Sequence, residues 1–213
     1  MNNILKNKFI FLSSLIGFSG FFIQMYFSVN RKLEEGFSLF YSLNHFLSYF
    51  TIIINLTLSL LLYFYSVHPE FSVSRWFKKS AVNGAVCLYI LIVGLIFYGL
   101  LFKDSKAQGI EALASHLLHA FTPLAYVYFW YFNFRDSSLK YTDSLRWLSV
   151  PLLYFVYLMI RGQIIGKYPY FFVDVERFGI ATIALFAVAI LSFFVLVGCL
   201  LIYIDRRQPV RTK

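Results

Sequence analysis

The stretch Ser-His-Leu-Leu-His-Ala-Phe-Thr-Pro-Leu, residues 115–124, places His116 and His119 three residues apart in an otherwise apolar run. On a helix, residues i and i+3 share a face. Two imidazoles there could supply two corners of a metal site or hydrogen-bond a neighbouring helix. Zinc sites usually draw three or four protein ligands. The remaining histidines, His45 and His68, do not complete such a set, and no cysteine or carboxylate lies at matching depth. Haem with two axial histidines needs rings on facing helices, where only His45 is available. No metal and no other cofactor is expected.

Other polar residues interrupt other apolar runs. Thr51 and Asn55, four apart, share a face of one run, with His45 one to two turns before them. Arg161 and Gln163 lie near the end of another. Arg161 has three readings: an ion pair with Asp174 or Glu176, a side chain reaching the headgroups, or a ligand for a substrate carboxylate.

These residues are informative because of the elements that carry them. Of 213 residues, 60% are hydrophobic, against roughly 45–50% in soluble domains. The expected class is an all-α, polytopic integral membrane protein. About 20 mostly apolar residues are needed per span, and six segments qualify: about 9–27, 43–66, 83–102, 112–132, 147–165 and 179–204. They form one bundle in a single domain over 1–213. The basic start followed by an apolar run is read as an uncleaved first helix. Pro123 and Pro151 are expected to kink the fourth and fifth spans. Cys87 and Cys199 are isolated in apolar runs and are read as packing residues.

The net charge of +9 comes from short loops, so it speaks for membrane topology and anionic headgroups, not for nucleic acid. Of the 19 lysines and arginines, twelve fall on the side of the termini and seven on the other. That asymmetry puts both termini in the cytoplasm. Thr51 and His119 then lie about 10–12 Å below the outer edge of their spans, at 1.5 Å rise per residue. Two polar groups at one depth on two helices can meet across a cavity open to the outside.

Three stretches together resemble the androgen-induced-gene protein family, six-span membrane proteins that include lipid hydrolases and bacterial members. They are SYFTIIINL (48–56), SHLLHAFTPL (115–124) and GKYPYFFVDVERFG (166–179). Order and span placement match over most of the chain. Ser115 stands where the family motif has Asn, and Ala120 where it has Thr. The resemblance implies a hydrolase of fatty acid esters of hydroxy fatty acids in a bacterial plasma membrane. Thr51 is the implied nucleophile and His119 its partner.

The chemistry is reasonable, since a threonine hydroxyl needs a base within hydrogen-bond reach. His119 would take the proton and return it to the leaving alcohol. His116 would set the His119 tautomer or assist the oxyanion, and Asn55 is a candidate amide donor for that charge. The expected partners are membrane lipids and a lipid ester. A non-catalytic six-span protein, binding lipid or acting as a regulatory module, remains the alternative. A transporter is disfavoured, because no span carries a central carboxylate and no inverted repeat is visible.

Overall fold

The computed structural model describes residues 3–207. Its described residues are helical with no strands, as apolar segments with no water to satisfy their backbone require. The chain forms two compact units, Met1–Arg135 and Asp136–Lys213.

In the first unit, α1 (Asn3–Glu34) is a continuous helix that runs antiparallel to two partners. Against the second partner, Arg31 at its end pairs with Glu111 at 2.5 Å, and Phe9 near its start meets the ring of Tyr128. Arg31 sits in the last turn of α1 and Glu111 in the first turn of α6 (Gly109–His116). Each charge is therefore at the helix end whose dipole favours it.

The other partner is α2 (Leu39–Leu47) followed by α3 (Phe50–Val67). The span expected over 43–66 is thus two helices. Ser48 explains the break: its hydroxyl donates to His45 O at 2.6 Å and its N–H to the same carbonyl. Such local bonds compete with helix propagation. Tyr49 is extended, and α3 starts afresh.

Next come α4 (Ser72–Phe77) and α5 (Ser80–Ile96), which continues into a π turn, Phe97–Leu101, and a 3-10 turn, Phe102–Asp104. The base of α5 is tied by Asn83, fully buried. Its amide donates to Phe77 O, and it accepts the Tyr126 hydroxyl at 2.8 Å.

The fourth expected span, 112–132, is a run of three pieces: α6, a π turn at Leu117–Phe121, and α7 (Thr122–Asn133). Pro123 accounts for the interruption. It has no N–H, and the Thr122 N–H reaches Leu117 O, five residues back, instead of four. The Thr122 hydroxyl joins the same carbonyl at 2.8 Å. The expected simple kink is therefore a change of helical register. Among the described residues, five helices are long and apolar enough to cross a membrane. This run is not among them, because its imidazoles, hydroxyls, proline and tyrosines dilute its apolar content.

In the second unit, α8 (Tyr141–Arg146) and α9 (Ser149–Ile165) are followed by a 3-10 turn at Phe171–Val173 and by α10 (Val175–Arg206). Pro151 lies in the first turn of α9, where a missing N–H costs no helix bond, so it starts a helix there and kinks none. Gly179 (φ 75°, ψ 154°) breaks α10 at the residue where the sixth span was expected to begin. Asp205, wholly buried, accepts the N–H groups of Asp136 and Leu139 at 3.1 and 3.3 Å. It thereby fastens the 136–139 loop to the end of α10.

Candidate functional site

His119 sits in the middle of the π turn, a distortion frequent at functional sites. Its Nδ1 lies 2.8 Å from Ser115 O. A carbonyl only accepts, so Nδ1 is the protonated nitrogen of the neutral ring. Nε2 keeps its lone pair, which is what a general base requires. The ring lies flat on Phe97, centroids 3.7 Å apart and planes at 14°.

The π register leaves main-chain carbonyls over. Pro123 has no N–H to offer Leu118 O or His119 O, five and four residues before it. Asn55, fully buried on α3, supplies the first: its amide nitrogen donates to Leu118 O at 3.2 Å and to Thr51 O at 2.9 Å. Both acceptors are carbonyls, so the nitrogen faces them and Oδ1 faces away, without a partner. The His119 carbonyl faces Gly94 on α5. A Cβ there would be 2.7 Å from that oxygen, so only glycine permits the approach.

Thr51 is the second residue of α3 and partly exposed. Its N–H is among the four amides at a helix start that have no intrahelical acceptor. Its hydroxyl and its amide thus stand together at the positive end of a helix dipole. Asn55 connects this first turn to the π turn. Among the described residues no hydrogen bond joins the Thr51 hydroxyl to the His119 ring.

The two histidines go to different partners. His116 is exposed, and its Nδ1 is 2.7 Å from the Tyr98 hydroxyl. The Ser115 carbonyl orients His119, which was the task expected of His116. Asn55 has both amide hydrogens committed to carbonyls, so it has none left for an oxyanion. Phe97, Tyr98 and the Ser115 carbonyl were not anticipated. The sequence signal was Pro123 four residues after His119, which removes one helix bond at the imidazole. Among the described residues no three of His, Cys, Asp and Glu gather to hold a metal ion.

In the second unit, Arg161 is 5% exposed. Its Nη1 donates to Lys167 O at 3.1 Å, while Nε and Nη2 are buried without partners. The expected pairing with Asp174 or Glu176 is not formed. Asp174 instead caps α10, accepting the Arg177 N–H at 3.1 Å. Tyr168 packs onto Gly162, its ring 1.9 Å from where a Cβ would stand.

No family model, curated protein or solved structure matches this chain.

Proposed function

We propose that this chain is an integral membrane lipid-ester hydrolase with Thr51 as nucleophile and His119 as base, as its resemblance to the androgen-induced-gene family implies. In this reading the run Gly109–Asn133 crosses the membrane as a sixth span. Both termini are cytoplasmic, and the membrane is a bacterial plasma membrane. The observation that supports it most is the His119 tautomer. With Nδ1–H given to Ser115 O, Nε2 is the nitrogen able to accept a proton.

The Thr51 hydroxyl oxygen attacks the ester carbonyl carbon as its proton passes to His119 Nε2. Negative charge collects on the carbonyl oxygen. The Thr51 amide, uncommitted within α3, is the donor for it, in place of Asn55. The carbonyl reforms as the alkoxide leaves with the proton from His119. Water then attacks the acyl-threonine, giving its proton to the same nitrogen; the bond to the Thr51 oxygen breaks as that oxygen takes the proton back from His119, and the carboxylic acid departs. The hydroxyl and ring must close to hydrogen-bond distance when the ester binds, as often happens between free and substrate-bound enzymes.

The test uses purified full-length protein in detergent, with fluorophosphonate labelling and cleavage of a fatty acid ester of a hydroxy fatty acid. Thr51→Ala and His119→Ala should each lose about 10²-fold or more in turnover. Full activity in either variant overturns the pair.

One observation favours the non-catalytic alternative. The bonds of the Asn55 amide and the shortest bond of His119 Nδ1 go to backbone carbonyls, and they serve to hold helices in place. Wild-type protein that neither labels nor cleaves would establish that alternative.

A further inference from the structure

A guanidinium buried without a counter-charge is expensive, and Arg161 is in that state. Among the described residues no ion pair involves it. The pattern of its bonds is specific. Nη1, the nitrogen on the Cδ side, is anchored by Lys167 O. The two atoms left over, Nε and Nη2, lie side by side on the opposite edge. Their parallel N–H bonds form the fork that takes both oxygens of a carboxylate or phosphate.

The surroundings hold that fork in place. α9 ends at Gly166 in the left-handed conformation (φ 70°), whose N–H returns to Gly162 O at 2.8 Å. That turn carries the Lys167 carbonyl back over Arg161, and Tyr168 packs on Gly162 beside it. The guanidinium is thus pinned at one edge while the other stays uncommitted. On the same helix Ile160 and Ile164 are 54% and 78% exposed, in a segment apolar enough for lipid.

We propose that Arg161 is the receptor for the oxyanion of a membrane amphiphile, a carboxylate or a phosphate bound through Nε and Nη2. The site does not depend on hydrolysis, since a non-catalytic lipid binder would use the same fork.

The experiment reads binding, not turnover, so its failure is separable from failure of the hydrolase reading. Full-length, delipidated protein in detergent is titrated with oleate, methyl oleate, dioleoyl phosphatidate and inorganic phosphate, with affinity read by native mass spectrometry. Oleate or phosphatidate should bind at least tenfold more tightly than methyl oleate, which has the chain without the anion. Arg161→Lys keeps the charge but loses the fork and should weaken that binding at least tenfold. Displacement of oleate by millimolar inorganic phosphate would make a soluble anion the source, while displacement only by phosphatidate would make it a lipid. The second outcome supports the amphiphile, and the first overturns it in favour of a soluble anion. Equal affinity for oleate and methyl oleate, or unchanged affinity in a folded Arg161→Lys protein, overturns it. If that variant does not fold, the oleate and methyl oleate comparison on wild-type protein decides alone.

Discussion

Asn55 is the side chain on which the candidate site depends. It compensates for a carbonyl that Pro123 has left without a main-chain donor, and it does so from a different helix. Replacing it by leucine keeps the volume and apolar packing but strands Leu118 O in the interior. A buried acceptor left unpaired costs about 1–3 kcal/mol. Asn55→Leu should therefore lose stability in detergent by that margin, read as a lower denaturation midpoint, and an unchanged midpoint would show that the bond is idle. Thr51 and His119 were legible as residues from their depth, and their roles came from the resemblance. The tautomer of His119 was not legible, because it is set by a backbone carbonyl and not by a side chain. The same limit applies to Arg161. Its acidic neighbours in sequence pointed to an ion pair, but Asp174 is taken up in capping the next helix.

At the scale of elements, two π turns face each other. Phe97 and Tyr98 from one receive His119 from the other and His116 from the end of α6 just before it. Helix pairs approach this closely only where a residue has no side chain. Gly94→Ala would push a methyl group against the His119 carbonyl, and backbone cannot yield as a side-chain tip does. Overpacking of this kind costs about 1–3 kcal/mol. It should also displace the π turn, so that any esterase activity falls along with the midpoint. Gly99→Ala is the control: nothing lies within 4 Å of its Cβ position, and its effect should stay within about 0.5 kcal/mol. Equal tolerance of both substitutions would mean that the contact between α5 and the π turn is not tight. The periodic apolar segments were readable because hydropathy averages over a window. Their interruptions were not, since each turns on one or two bonds, such as the Ser48 hydroxyl on His45 O.

Over the whole molecule, the question is whether Gly109–Asn133 crosses the membrane, although it is less apolar than the five described helices that are long and apolar enough to do so. Proteins with Cys87 and Cys199 replaced by alanine and a single new cysteine answer it. Lys106→Cys and Ser138→Cys, both at exposed positions, flank the run. A membrane-impermeant maleimide applied to intact cells should label Lys106→Cys and spare Ser138→Cys. Labelling of both, or of neither, would mean that the run enters and leaves on one side.

The all-helical class and the approximate place of each apolar segment were determined by sequence alone. Both follow from composition and from the need of backbone amides for partners away from water, and these are sums over many residues. Tertiary structure decided which polar atoms are satisfied and by whom: the nitrogen of His119 that keeps its lone pair, the helix that relieves Leu118 O, and the edge of Arg161 left uncommitted. Those outcomes depend on single bonds, one between segments far apart in the chain, Asn55 to Leu118 O, and two to carbonyls four and six residues away, and neither spacing nor hydropathy carries that information.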